Sequence, residues 1–337
     1  MKSVVAGIAA LFSSAALASE PPTYTLVKSI SLGAPDRWDY VVFDDLSDRV
    51  FVAHGDRLAV IDARSESLVG EVQGIAGGTH GSAVSLSTGQ GFTDDGRAGK
   101  AVAFDLLTLK VIKEIPADLD ADALALDGAT GHLFVVEGDP AALTVIDTKS
   151  DSPIATIKAG EKLEYAVADG HGAVYVAGEA NGDLLKIDAR SNSITARWPT
   201  PGCTSPHGLA VDVRNNRAFM GCANSVMIVV DTTNGRVVAK LQIGRGNDAV
   251  AFDSTRRRVF SSNGADGTIT AYQQISADHY EELAPIATMV SARTMSVDPA
   301  TGRLFVAGAD TDANPSPGGR PKIRPGTLRL LIFRPSA

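Results

Sequence analysis

Apolar residues recur along this chain in short runs of strand length, separated by clusters of turn-forming residues. Residues 200–243 show the pattern, with a turn cluster such as Thr233–Gly235 between successive runs. The four runs of this stretch are Leu209–Val213, Arg217–Gly221, Met227–Val230 and Val237–Ile243. Such runs predict a four-stranded antiparallel meander. A helical stripe with a 3.6-residue period does not persist over ten residues anywhere after residue 20.

The same unit recurs along the chain at intervals of 41 to 45 residues. The first strands of the units are 39–44, 80–85, 122–127, 164–169, 207–212, 248–253 and 293–298. A period in the low forties with four strands per unit is typical of a β-propeller blade. The sequence therefore predicts an all-β fold, a seven-bladed β-propeller of four-stranded antiparallel blades.

The seventh unit lacks a fourth strand before the sequence stops. The segment Tyr24–Leu32 resembles the fourth strands of the other units, such as Arg236–Ile243, and precedes the first blade. We expect this N-terminal strand to pair with the C-terminal blade. That pairing would close the ring and cover the edge that the last blade would otherwise expose.

Residues 1–18 differ from the repeats and are typical of a signal peptide. Lys2 precedes an apolar stretch from Val4 to Leu17, which ends in the small-residue sequence Ala16-Leu17-Ala18. The stretch is too short to span a bilayer as a helix. We expect cleavage after Ala18, a periplasmic location, no transmembrane segment in the mature protein, and one propeller domain over residues 19–337.

The formal net charge of −8 bears on the class of partner. Nucleic-acid-binding domains usually carry a basic stripe, whereas the one dense basic run here, Arg256–Arg258, falls in a turn between two predicted strands. The charge argues against nucleic acid and favours a small molecule, a metal ion or a periplasmic protein as the partner.

The first strand of each propeller blade lines the central channel, so its leading residue lies at the channel mouth. The seven leading residues are Asp39, His80, Asp122, Glu164, His207, Asp248 and Arg293. We predict a ligand site at this ring, which carries four carboxylates and one arginine. Like charges gathered at a low-dielectric mouth raise the pKa values of carboxylates and of nearby histidines.

Each histidine of the ring stands between two carboxylates. Imidazole with carboxylate suits a divalent transition metal ion better than a structural calcium. The candidate metal ligands are His80, His207, Glu164 and Asp122, and a divalent metal ion is the one cofactor that the ring indicates. An alternative stays open, since polar residues line the channel mouth of any soluble propeller and a His-Gly pair also suits a tight turn that leads into a strand.

Two further features map to the same face of the predicted ring. The second strands end in polar residues, namely His54, Asp95, Glu137, Glu179 and Asn263. The long Pro- and Gly-rich insertion 311–326 carries Arg320, Lys322 and Arg324. It could form a flap over the mouth or a packed irregular loop without a function.

The chain contains two cysteines, Cys203 and Cys222, both on the mouth face of the fifth predicted blade. In an oxidising compartment we expect a disulfide bond between them. A metal site formed by a cysteine with His207 is the alternative.

Several strands resemble the YVTN β-propeller repeat family, which includes the periplasmic YncE-like proteins. The resemblance covers roughly residues 23–334 and is carried by segments such as Gly208–Asp212, Gly302–Ala307 and Thr144–Asp147. The usual Tyr-Val-Thr-Asn is replaced by variants such as Phe51-Val-Ala-His54. The resemblance implies the propeller fold and no catalytic signature. The family includes a DNA-binding member, against which the acidic charge of this chain argues.

Two functions stay open from the sequence. The first is a binding or scaffold propeller that uses its acidic mouth for a ligand, a metal ion or a partner. The second is an enzyme, a metal-dependent hydrolase or lactonase or a lyase, with His80 or His207 as general base and Arg293 steadying an anion. The sequence lacks a nucleophile elbow, a phosphate-binding loop and a zinc-protease helix.

Overall fold

β-Strands account for nearly all the regular structure of the residues that the structure describes. The computed structural model describes residues 22–312 and 322–336. The predicted signal peptide, residues 1–18, and the centre of the long insertion, with Arg320, lie outside the described residues. In the described part, 29 strands and one short 3₁₀ helix (Gly96–Ala98) form seven separate sheets.

The strands follow one another blade by blade. The chain begins with β1 (Tyr24–Ser31), and blade one comprises β2 (Val41–Asp44), β3 (Arg49–His54), β4 (Arg57–Asp62) and β5 (Ser67–Val72). Blade two comprises β6 (Ser82–Ser85), β7 (Gln90–Asp95), β8 (Lys100–Asp105) and β9 (Val111–Pro116). Blade three comprises β10 (Ala121–Asp127), β11 (His132–Glu137), β12 (Ala142–Asp147) and β13 (Ser152–Lys158). Each blade is an antiparallel meander in chain order.

The remaining blades repeat this order. Blade four comprises β14 (Leu163–Ala168), β15 (Ala173–Gly178), β16 (Asp183–Asp188) and β17 (Ser193–Pro199). Blade five comprises β18 (Pro206–Asp212), β19 (Arg217–Cys222), β20 (Val226–Asp231) and β21 (Val237–Gln242). Blade six comprises β22 (Asn247–Asp253), β23 (Arg258–Asn263), β24 (Thr268–Ser276), β25 (His279–Glu282) and a short β26 (Ile286–Ala287) that also pairs with β24. Blade seven contains β27 (Thr294–Val297), β28 (Leu304–Gly308) and β29 (Arg329–Pro335).

The N-terminal strand completes blade seven, as the sequence predicted. The sheet has the order β1-β29-β28-β27, and β1 runs antiparallel to β29 from the pair Tyr24–Pro335 to the pair Ser31–Arg329. An inter-blade ion-pair network strengthens the junction, because Glu66 of blade one contacts both Arg303 and Arg334 of blade seven. The prediction of a seven-bladed propeller closed by its N-terminal strand is confirmed.

An aromatic residue in each second strand forms the centre of the packing between blades. These residues are Phe51, Phe92, Phe134, Tyr175, Phe219, Phe260 and Phe305, and all are buried. Adjacent sheets of a propeller face each other at sheet-packing distance, so one large apolar side chain per blade fills the gap at the same radius. The recurrence of this residue explains why the repeat is readable in the sequence.

The acidic residue that ends most first and third strands caps the turn that follows. The carboxylate of Asp62 accepts hydrogen bonds from the backbone N–H (2.7 Å) and the hydroxyl (2.8 Å) of Ser65. The Asp127 carboxylate binds Thr130 in the same manner. These Asx turns satisfy backbone donors that the reversal of the chain would otherwise leave unpaired. The acidic residue that marks the repeat is therefore structural.

Deletion of residues 22–32 should destabilise the protein. The deletion removes the hydrogen bonds between β1 and β29, each worth about 0.5–1.5 kcal/mol net, and exposes the edge of β29. We expect a loss of roughly 3 kcal/mol or more in the free energy of unfolding, measured by urea denaturation. A deletion variant that unfolds at the same urea concentration as the intact chain would contradict this role of β1.

Candidate functional site

The mouth of the channel holds a cavity of about 590 Å³. Six of the seven leading residues line it, and these are Asp39, Asp122, Glu164, His207, Asp248 and Arg293. His80, the seventh, is 8% exposed and lies behind this wall. Arg37, Trp38 and Ile323 also line the cavity, so the described base of the long insertion reaches the mouth.

The segment between β1 and β2 crosses the mouth and contributes neighbouring residues to the site. It is held by backbone hydrogen bonds from Asp39 N to Ala53 O and from Tyr40 N to His80 O, each 3.0 Å long. The imidazole of His54 also contacts the carbonyl of Pro35 at 2.7 Å. Contacts with blades one and two therefore hold this segment in place.

His80 is fixed by a buried carboxylate that the sequence analysis missed. Asp94 lies in β7 and is fully buried. Its carboxylate accepts hydrogen bonds from the backbone N–H groups of His80 (2.9 Å) and Gly81 (2.8 Å), and its other oxygen lies 2.7 Å from Nδ1 of His80. This contact leaves Nε2 of His80 as the nitrogen on the cavity side, 3.9 Å from Oδ1 of Asp122.

Asp39, His80 and Asp122 form the first cluster of candidate metal ligands. One ligand atom from each lies within 4.8 Å of the other two. Among the described residues, no side-chain donor lies within hydrogen-bonding distance of the Asp39 or Asp122 carboxylate. The negative charges of these two carboxylates therefore repel each other, and no hydrogen-bond donor from a neighbouring described side chain compensates them.

The electrostatics of the first cluster follow from burial and crowding. Burial raises the pKa of Asp39 to about 7, with Arg293 opposing the shift and Asp248 adding to it. Burial and the charge of Glu164 raise the pKa of Asp122 to about 8. Burial alone would lower the pKa of His80, but the hydrogen bond and charge of Asp94 raise it to about 9. The mouth therefore retains protons at neutral pH, and a metal ion that binds these residues would have to displace them.

Arg37 makes the remaining contact of His80. Its Nη2 lies 3.1 Å from Nε2 of His80. A guanidinium can only donate hydrogen bonds, so this contact requires the neutral imidazole with its proton on Nδ1. Protonation of Nε2 would remove the acceptor, so this contact forms only with neutral His80.

Glu164, His207 and Asp248 form a second cluster across the mouth, again with ligand atoms within 4.8 Å of one another. Nδ1 of His207 lies 3.1 Å from Oε1 of Glu164 and 3.9 Å from Oδ1 of Asp248. Burial lowers the pKa of His207, but the hydrogen bond and charge of Glu164 outweigh it and raise that pKa. The four metal ligands predicted from the sequence are thus divided between two clusters.

Arg293 already has internal partners. Its Nε donates to Asp248 at 2.6 Å, its Nη2 donates to the carbonyl of Trp38 at 2.6 Å, and its guanidinium lies 4.8 Å from the centre of the Trp38 ring. Arg293 consequently compensates the negative charge of Asp248. This pairing makes Arg293 a poor candidate for steadying an anion and the second cluster a weaker cation site than the first.

Tyr40 is buried in contact with Glu164 of the mouth. Its hydroxyl lies 3.4 Å from Oε1 of Glu164, and its ring packs against Tyr165 with 4.4 Å between ring centres. Burial raises the pKa of Tyr165 to about 12. Tyr165 in turn lines a second cavity of about 220 Å³. Tyr40 and Tyr165 thus connect Glu164 at the mouth with this second cavity.

The polar ends of the second strands do not line the mouth cavity. His54 is buried against Pro35, and Glu137 is buried and accepts a hydrogen bond from the backbone of Asp118 at 2.8 Å. Asn263 donates to two threonine hydroxyls of β24. Asp95 and Glu179 also lie outside the lining. These residues support the loops around the mouth.

The two cysteines and one His-Gly pair have structural explanations. Cys203 and Cys222 form a disulfide bond, with their Cα atoms 5.4 Å apart. Both sulfur atoms are therefore occupied, and the alternative of a metal site with His207 is wrong. His207 and Gly208 lie within β18, where a Cβ on Gly208 would sit 2.4 Å from the backbone nitrogen of Val250. The glycine permits close contact between blades five and six, and the interpretation as a turn is wrong.

Comparison with known proteins supports the fold and the resemblance. The chain is 27% identical over 153 residues to the "Uncharacterized protein YncE" of Salmonella typhimurium, and 26% identical to that of Salmonella typhi. Each match covers 44% of this chain and 43% of the relative, so it spans less than half of YncE. Sequence and fold together fit a YncE-like propeller. No protein-family model matches the chain.

Solved structures match over most of the chain at low identity. A structure titled RRP9 WD40 repeats aligns with a TM-score of 0.78 at 12% identity, covering 94% of this chain and 99% of that one. A chain of a mitotic checkpoint complex aligns with a TM-score of 0.76 at 13% identity, covering 99% and 98%. A chain of Kuenenia stuttgartiensis hydrazine synthase gives 0.70 at 13% identity, covering 80% and 92%. These likenesses establish the propeller fold alone.

In the part of the chain that the structure describes, no helix has the length and apolarity needed to cross a membrane.

The raised pKa values at the mouth predict that stability falls as pH rises. Folded Asp122 and Asp39, with pKa values of about 8 and 7, hold protons that the unfolded chain has released at its ordinary value of 3.8. The folded state therefore binds more protons than the unfolded state between about pH 4 and pH 8. The stabilisation that these protons give is lost as the pH rises through this range. Surface carboxylates are ionised in both states above about pH 6.

We expect the melting temperature in EDTA to be lower at about pH 8.5 than at about pH 6, measured by circular dichroism. Asp122→Asn should reduce this difference, while replacement of the exposed Asp45 by Asn should leave it unchanged. An Asp122→Asn variant with the full pH dependence of the parent would show that the carboxylate does not hold a proton in the fold.

Proposed function

We propose that this chain is an exported periplasmic β-propeller that binds a divalent transition metal ion at its channel mouth. The observation that carries the proposal is the first cluster, in which Asp39, His80 and Asp122 bring three ligand atoms within 4.8 Å of one another. Two of these ligands are carboxylates without a side-chain hydrogen-bond donor among the described residues. A bound cation would compensate their charge.

The donor set indicates the class of metal. One imidazole with two carboxylates suits zinc, manganese, iron or copper, whereas calcium takes oxygen ligands. The Asp94 carboxylate at Nδ1 of His80 matches the carboxylate–histidine arrangement that orients metal-binding imidazoles and raises their basicity. Among the ring histidines, His80 alone has such a buried partner from a second strand, and this favours the first cluster over the second.

The proposed export rests on two features. Residues 1–18 have the charge and hydropathy pattern of a signal peptide. The disulfide bond between Cys203 and Cys222 is stable in an oxidising compartment such as the periplasm and is rare in the cytosol. Both features support delivery of the folded domain to the periplasm.

Zinc titration of the purified mature protein, followed by calorimetry, tests the metal site. Asp122→Asn keeps the size of the side chain and removes one ligand charge, so we expect zinc affinity to fall by about tenfold or more. Glu164→Gln, in the second cluster, removes the same charge without removing a ligand of the first cluster, so we expect it to change zinc affinity less than Asp122→Asn does. An equal loss in both variants would assign the ion to a position shared by the clusters, and no loss in Asp122→Asn would refute the site.

Hydrolysis or lyase chemistry at the same mouth is the second candidate, and one observation favours it. Nδ1 of His207 is held by Glu164, and Nε2 has no hydrogen-bond partner among the described residues. His207 lines the cavity, so Nε2 could accept a proton from a water molecule or a substrate. His80 is less suitable as a base because Asp94 and Arg37 occupy its two nitrogens.

A screen of lactones and esters with and without a chelator tests this candidate. If turnover is found, His207→Gln should lower kcat/KM by roughly 100-fold or more, whereas His171→Gln, in an exposed turn, should leave it unchanged. Metal binding without turnover of any substrate in the screen would favour the binding function.

A further inference from the structure

We propose that the mouth binds a small carboxylate-bearing ligand together with the metal ion, and that Arg37 recognises its carboxylate. The inference rests on the proposed metal site and names the class of molecule that the site takes, an α-hydroxy carboxylate. It arises from the contact between Arg37 and Nε2 of His80, because this nitrogen cannot accept a hydrogen bond from Arg37 and bind a metal ion at the same time.

Arg37 and the metal ion compete for one nitrogen atom. Asp94 holds Nδ1 of His80 at 2.7 Å, so Nε2 is the nitrogen available as a ligand. Nη2 of Arg37 donates to that same nitrogen at 3.1 Å. A metal ion bound to Nε2 uses the lone pair that accepts this hydrogen bond. Metal binding would therefore break the contact between Arg37 and His80.

In its present position the Arg37 guanidinium has no hydrogen-bond partner among the described residues other than His80. Arg37 is exposed at the cavity wall, and within residues 22–312 and 322–336 no carboxylate lies within ion-pair distance of it. Arg293 differs, because Asp248 and the carbonyl of Trp38 satisfy it. Arg37 thus presents an unpaired fork of donors, which matches the two oxygens of a carboxylate.

The metal ion would also have free positions. Asp39, His80 and Asp122 supply three ligands, whereas these metals usually take at least four. The cavity of about 590 Å³ is large enough for a small organic molecule. A hydroxyl and one carboxylate oxygen on adjacent carbons can occupy two metal positions while both carboxylate oxygens accept hydrogen bonds from the donor fork of Arg37. Ligands that lack either group lose one of these contacts.

Tryptophan fluorescence provides a readout at the mouth itself. The chain has two tryptophans, of which Trp38 lines the cavity and Trp198 lies in β17 on the outer part of blade four. A Trp198→Phe background makes Trp38 the sole reporter. The protein in this background is titrated first with zinc and then with glycerate, and in parallel with glycerol, which lacks the carboxylate, and propionate, which lacks the hydroxyl.

We expect glycerate to give a saturable signal with zinc present and none with EDTA, and glycerol and propionate to bind much more weakly. Arg37→Gln should weaken glycerate binding by about tenfold or more, while zinc binding becomes as tight or tighter because a competing donor is gone. Arg37→Lys, which keeps the charge but lacks the fork, should lie between Arg37→Gln and the parent.

The outcomes distinguish a failure of this inference from a failure of the proposed metal site. Absence of zinc binding would overturn both proposals. Zinc binding with equal glycerate affinity in the parent and Arg37→Gln would overturn the role of Arg37 alone, as would glycerate binding that is independent of zinc. Zinc binding that weakens in Arg37→Gln would show that Arg37 does not compete for His80.

Discussion

The pairing of β1 with β29 is the contact on which the rest of the structure depends. Seven wedge-shaped sheets pack around one axis only when the ring is complete, and this strand completes it. Completion places seven leading residues on one rim, where four carboxylates, two histidines and an arginine are held close together. The chain after β1 must then cross the rim to reach β2, and in doing so it delivers Arg37, Trp38, Asp39 and Tyr40 to the mouth.

The crowding of the rim carboxylates, and the donors that compensate their charge, then decide which part of the rim can bind a cation. Arg293 neutralises Asp248, and Tyr40 and His207 both contact Glu164. Asp39 and Asp122 receive no comparable donor among the described residues. The ring therefore divides into one compensated side and one uncompensated side, although the repeat offers a carboxylate–histidine–carboxylate set on each. The difference arises from the side chains that contact the ring residues.

The sequence predicted the blades because each of them repeats the same signals at the same spacing, above all the buried aromatic residue of the second strand and the capping aspartate of the turn. It predicted the rim because register alone assigns one leading residue per blade. It did not reveal Asp94 or Arg37, since neither occupies a repeated rim position and their roles depend on packing between side chains. The same reason explains why the predicted face of His54 and Glu137 did not reveal that each is buried in support of a loop.

The two partners in ring closure lie at opposite ends of the chain, as the 313-residue separation of Thr23 and Ser336 illustrates. During synthesis, β1 emerges first and has no partner until the last blade has been made. The segment that carries Arg37 and Asp39 is held by backbone hydrogen bonds to blades one and two, which are made long before the last blade. A chain interrupted before β29 would therefore keep Asp39, His80 and Asp122 but leave β1 without its partner and the ring open at one edge.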